Sequence, residues 1–85
     1  MPRIKVSAVE WNEANELHAT RHGVSIAEIE DVLLSAKLAY RNRRGRSGDF
    51  YVHGSTLGGR QVRVVFAYQR DTGTARPIAA WEVDQ

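Results

Sequence analysis

The stretch Val24-Ser25-Ile26-Ala27-Glu28-Ile29 leaves this chain the least conformational freedom. Ser25 and Glu28 stand at the Ser-x-x-Glu spacing of a capping box, in which each side chain takes the free backbone N–H of the other residue. Val24 before the cap and Ile29 after it are placed as a hydrophobic staple. Ile26, Ile29, Val32, Leu33 and Ala36 then recur at helical spacing, with Glu28, Glu30 and Asp31 mostly on the opposite side. The pattern predicts an amphipathic helix that must bury one stripe against another element.

The residues just before it read as the end of an earlier helix. Asn12 is a good N-cap, and Glu13 and Glu16 suit the positive end of a helix running to about His22. Gly23 suits the left-handed position just past that end. The apolar side of this first helix is thin. Ala14 and Leu17 lead it, with His18 and Arg21 next along the same side, so the helix depends on tertiary contacts. Val6 to Trp11 form a short first strand. His18 and His22 have the i, i+4 spacing of two metal ligands, but no Glu follows His18 as in His-Glu-x-x-His and no acids complete a site. His22 is read as a donor to the free carbonyls of the last turn, His18 is left to pack on the sheet or meet a partner, and no metal or other cofactor is expected.

After Lys37 the pattern changes to strand. Leu38 to Asn42 leads into a charged turn over residues 43–49, followed by a strand from Phe50 to Thr56. Gly58-Gly59 marks a tight hairpin, Val62 to Tyr68 is strongly β-forming, and Asp71-Thr72-Gly73 turns the chain into a last strand from Arg76 to Val83. Pro77 donates no ladder hydrogen bond, so that strand is expected at an edge or bulged near its start. The fold class is therefore α+β: two N-terminal helices on one face of an antiparallel sheet, with a short N-terminal strand, in a single domain over residues 1–85. A chain of this length buries roughly 60% of its unfolded surface.

Register decides which side chains meet. A two-residue Gly-Gly turn puts Phe50 and Val52 on the Arg63 face, whereas a bulge puts Tyr51 and His53 there. Burying Phe50 and Val52 with Val62, Val64 and Phe66 makes the better core, which favours the second register. An even loop in the last hairpin places Arg76, Ile78 and Ala80 on the Arg63 face, and Ala79 and Trp81 on the Val64 face. Tyr51, His53, Arg63 and Arg76 then share the face away from the helices.

Charge is unevenly spread. Arg41, Arg43, Arg44, Arg46, Arg60, Arg63, Arg70 and Arg76 face only Asp49 and Asp71, while the segments on either side lean acidic. Arginine offers a planar, permanently charged fork suited to phosphate, so the middle of the chain fits a polyanion or an acidic protein as well as a plain solvated surface. The chain has no Cys, which excludes disulfides, thiolate chemistry and Cys-type zinc sites and fits a reducing compartment. The N-terminal residues contain no long apolar run, so a soluble, cytoplasmic protein with no membrane partner is expected.

Arg21-His22-Gly23-Val24-Ser25, followed by Ile29-Glu30-Asp31-Val32-Leu33, resembles the small BrnT-like toxins of the RelE-type ribonuclease group in bacterial type II toxin–antitoxin systems. The resemblance continues through Trp11, Phe50-Tyr51-Val52-x-Gly54-x-Thr56, Gly59-Arg60, the Val62–Phe66 strand and Arg76-Pro77-Ile78, and so spans nearly the whole chain. Where family members carry an arginine after the small residues of the final strand, Trp81 follows Ala79-Ala80 here. The resemblance implies a helix–helix–sheet fold, an endoribonuclease that arrests translation, and an antitoxin encoded beside it. Homo-oligomers are compatible with it.

Metal-free RNA cleavage needs a base for the 2′-hydroxyl, a cation for the phosphorane and an acid for the leaving 5′-oxygen. Arg63 and Arg76 suit the cationic role, and His53 or Tyr51 the proton transfers, with His53 better matched to neutral pH. Arg60 at the turn is placed to hold a neighbouring phosphate. Arg43, Arg44 and Arg46 suit the grip on RNA phosphates or on an acidic partner. The alternative on the same residues is a non-catalytic module that binds RNA or an acidic protein.

Overall fold

Asn12 and Ser25 open the two helices in the same way. In the computed structural model, which describes residues 3–41 and 50–83, Asn12 has extended backbone (φ −145°) and its side chain accepts the Asn15 N–H, while the Asn15 side chain accepts the Asn12 N–H at 2.6 Å. This starts α1, Glu13–Thr20. Asn15 thus completes a second capping box, which an Asn-x-x-Asn spacing does not advertise. Ser25 and Glu28 form the expected box and start α2, Ile26–Ser35. Gly23 takes φ +86° between the helices. α1 ends two residues short of His22, which lies exposed in the connecting turn.

The staple and the middle of the α2 stripe are buried, Val24, Ile29, Val32 and Leu33 each exposing 2% or less, while Ile26 and Ala36 at its ends are half-buried. The side of α1 led by Ala14 and Leu17 faces solvent instead, and Ala19 is the residue it buries. The reason lies in the polar anchor at its start. Asn15 reaches the carbonyls of Glu10 and Pro77 with its Nδ2, each at 3.0 Å, and this rolls the Asn15–Ala19 side inward.

Five strands complete the chain: β1 Ala8–Val9, β2 Tyr40–Arg41, β3 Phe50–Ser55, β4 Gln61–Gln69 and β5 Thr74–Glu82, in the spatial order β1-β5-β4-β3-β2. β1 runs parallel to β5 and the other pairs are antiparallel. The sheet is therefore mixed, not wholly antiparallel. Gly73 explains how β1 comes to lie there. It takes φ +70°, its carbonyl accepts the N–H groups of Ser7 and Ala8, and a Cβ on it would lie 2.8 Å from Ser7 Oγ. Only a glycine lets the N-terminal segment enter alongside the start of β5.

β3 and β4 are joined through residues 56–60, with Gly59 at φ +87°, and His53 pairs directly with Arg63. Phe50 and Val52 therefore turn inward with Val62, Val64 and Phe66, and all five are buried. Between β4 and β5 the register shifts, Val65 facing Ala79 but Phe66 facing Pro77, so that Ile78 is the extra residue of a bulge. The bulge sits beside the proline and reverses part of the expected facing: Ala80 is buried opposite Val64, and Ala79 and Trp81 share the Arg63 face. Pro77 lies beyond the two residues of β5 that β1 pairs, so no ladder bond is asked of its nitrogen.

One cluster joins the two helices to the inner sheet face. Ala19 of α1 and Ile29, Val32 and Leu33 of α2 belong to it with Val52, Val62, Val64, Phe66 and Ala80. Gly54 lets α2 approach β3, since a Cβ there would stand 3.1 Å from Val32 Cγ1. Trp11 Nε1 donates to Glu30 Oε2 at 2.9 Å and ties the segment before α1 to α2. No helix among the described residues is long and apolar enough to cross a membrane.

Candidate functional site

Cross-strand pairing builds a small cluster on the outer face of the sheet. Thr56 N–H bonds Arg60 O, and alternation along the antiparallel ladder makes His53 and Arg63 a non-hydrogen-bonded pair, the kind whose side chains stand closer together. Arg63 Nε donates to His53 Nε2 at 2.6 Å. The guanidinium carbon also lies 4.5 Å from the centroid of the Tyr51 ring, within cation–π range. Tyr51 stacks on Tyr40 across β2 and β3, with centroids 5.2 Å apart and planes 21° from parallel. Trp81 sits opposite Arg63 on β5.

This geometry fixes the state of His53. A ring nitrogen that accepts a hydrogen bond is unprotonated, so the imidazole is neutral with its proton on Nδ1. Desolvation, and after it the Arg63 charge, pushes the His53 pKa below its ordinary value of 6.5. The pair is therefore a neutral base held by a permanent cation, beside the Tyr51 ring.

Arg76 shares this face but not this cluster. It pairs with Ala67, four residues along β4 from Arg63, which separates the two backbones by roughly 13 Å at the usual strand rise. It lines a cleft of about 280 Å³ with Glu10, Gln69 and Thr74, and forms no ion pair among the described residues.

Arg60 departs from its expected role. Its Nη1 bonds both oxygens of Glu28, at 2.9 and 3.1 Å, and the Gly23 carbonyl at 3.3 Å, while Nη2 meets Glu82 Oε1 at 3.2 Å. The guanidinium clasps the start of α2 to the end of β5, and two carboxylates already neutralise it. Glu28 is held below the ordinary carboxylate value, most strongly by the Ser25 backbone N–H and further by Arg60, against some desolvation. Arg43, Arg44 and Arg46 lie outside the described residues.

Tyr40 and Trp81 are the members that reading the sequence missed. Tyr40 carries a weak signal, an aromatic within the Leu38–Asn42 run, but its partner depends on how β2 and β3 pair. Trp81 was hidden by the bulge. His18 and His22 are both exposed, and no group of three metal-ligating side chains occurs among the described residues. Comparison of the chain with protein-family profiles, with curated proteins and with solved structures gave no match.

Proposed function

We propose that this chain is a BrnT-like toxin subunit, a metal-independent endoribonuclease whose cleavage centre is the His53–Arg63 pair on the outer sheet face. The observation that carries this reading is the 2.6 Å contact from Arg63 Nε to His53 Nε2 beside the Tyr51 ring. It puts a base that is neutral at physiological pH and a fixed cation within one hydrogen bond of each other.

In the proposed reaction an RNA phosphate draws the Arg63 guanidinium onto its non-bridging oxygens. Arg63 Nε–H turns away from His53, and the freed Nε2 takes the proton of the adjacent 2′-hydroxyl. The 2′-oxygen attacks phosphorus, Arg63 stabilises the extra negative charge of the phosphorane, and Tyr51 protonates the departing 5′-oxygen. A 2′,3′-cyclic phosphate and a 5′-hydroxyl result. Tyr40 and Trp81 offer ring faces on which unpaired bases stack, while the Tyr51 ring is flanked by Tyr40 and Arg63. Arg76 lies too far along the sheet to touch the same phosphorus and instead holds a neighbouring phosphate. The α+β arrangement of two helices and a sheet accords with the RelE-like fold, and an antitoxin encoded beside the toxin is the expected partner.

The same contact also favours a second reading, a module that binds RNA without cutting it, because Arg63 occupies the lone pair a base needs. An unpaired RNA oligonucleotide incubated with the purified chain and excess chelator at low salt decides between them. Cleavage to cyclic-phosphate ends, lost in His53→Ala and Arg63→Ala, supports the nuclease. Salt-dependent binding of intact RNA supports the module. A wild-type chain, free of antitoxin, that neither cuts nor binds excludes both.

A further inference from the structure

α1 presents to solvent the side its sequence pattern marks as apolar. Leu17 is 74% exposed. At about 100° per residue it stands opposite the inward Asn15 and Ala19, with Glu13 and Arg21 about 40° to either side, one turn before it and one turn after. Leu17 is more than a stray surface apolar residue. It forms a ridge between two clefts, one of about 300 Å³ that includes Thr20 and Ile26, and one of about 280 Å³ that includes Ala14, Pro77 and Ile78. Neither Glu13 nor Arg21 forms an ion pair among the described residues.

Glu13 and Arg21 are equidistant from Leu17 along the helix and opposite in charge. Such a surface is its own complement when reversed. We infer that this chain pairs with a second copy of itself through α1, the two helices crossing antiparallel at Leu17. Leu17 of each copy packs beside Leu17 of the other, and Glu13 of each faces Arg21 of the other. A two-fold interface repeats every contact, so one acid and one base per chain supply two ion pairs. The ridge and its bordering clefts supply the ridge-into-groove surface that helix packing uses. With one eight-residue helix at its centre, the interface falls in the small, transient class and association depends on concentration. None of Tyr51, His53 or Arg63 takes part, so this inference stands apart from the proposed function.

Sedimentation of the full chain from micromolar to millimolar concentration tests it, with circular dichroism to check that each variant is folded. The wild type is expected to shift from monomer to dimer, and Leu17→Lys to remain monomeric. Glu13→Arg and Arg21→Glu each place like charges together and are expected to weaken association by at least about tenfold. Mixing those two single variants pairs Arg with Glu at both contacts and restores a dimer, as does the Glu13→Arg/Arg21→Glu double variant. The double variant keeps both unfavourable charges at the ends of the helix dipole, so its recovery is not a stability effect. A wild type that stays monomeric at millimolar concentration overturns the inference. So do single variants that dimerise like wild type, or a mixture that fails to associate.

Discussion

Arg60 and Arg63 are three residues apart, and their surroundings give them opposite fates. Arg60 lies at the start of β4, where Glu28 and Glu82 close around it and its charge is cancelled within the fold. Arg63 points to the outer face, where its neighbours are a tyrosine ring and a neutral imidazole. Neither neighbour neutralises it, so its full charge remains for an incoming anion. Counting arginines in a basic segment therefore says little about binding. What separates a structural arginine from an available one is whether carboxylates or neutral rings fill its coordination, and strand register decides that.

The largest effect is expected where the closed side rests on the core. Ile29→Ala removes a fully buried side chain of α2 and should cost roughly 2–5 kcal/mol in denaturant unfolding. Arg63→Ala should do the reverse of a core change. Stability should stay within about 0.5 kcal/mol, while RNA cleavage falls about 10²–10³-fold, as on loss of an oxyanion donor. Arg60→Ala sharpens the contrast: it should lower the unfolding midpoint and leave the chemical step unchanged once the fold is intact. If Arg60→Ala abolishes cleavage in a folded chain, the two arginines do not divide as described. Ser25→Ala, which removes the cap beneath the clasp, should cost about 1 kcal/mol.

The smallest effect is in pH dependence, and it separates the two regions by window. Glu28 and His53 both have folded pKa values below their ordinary ones. In each case the unfolded chain binds the proton first, so stability rises with pH through the window. The His53 contribution is complete above 6.5, declines below it, and is gone once the pH passes the folded imidazole value. The Glu28 contribution is complete above 4.5 and is lost as the pH falls through the folded carboxylate value. His53→Gln should remove the upper decline and Glu28→Gln the lower, as read from melting temperature against pH. A single shared transition would contradict this assignment.

Much of the closed side was legible because its determinants are local. The Ser25–Glu28 box, the Val24–Ile29 staple and the α2 stripe are fixed by spacing along one segment. The inward set Phe50, Val52, Val62, Val64 and Phe66 was found by asking which register buries the better core. The open face was only half legible, because it depends on non-local pairing. Tyr51, His53 and Arg63 followed from that same register, but Tyr40 required knowing where β2 pairs. The outward roll of α1 was not readable from its apolar side, since the Asn15 contact with the Pro77 carbonyl overrides it.

The single extra residue at Ile78 gives β5 two phases. On the Thr74–Pro77 side of it, odd-numbered residues face the core; on the Ala79–Glu82 side, even-numbered ones do. The strand behaves as two gears offset by one tooth, and deleting Ile78 would bring them into step. The β4 partners on either side would not change, so Phe66 would still face Pro77, Val65 would still face Ala79, and Trp81 would keep its place opposite Arg63. Pro77 and Ala80 both turn inward although they stand three positions apart, which an unbroken strand does not allow; the extra residue is what lets one strand serve the core twice and still hold Trp81 on the outer face.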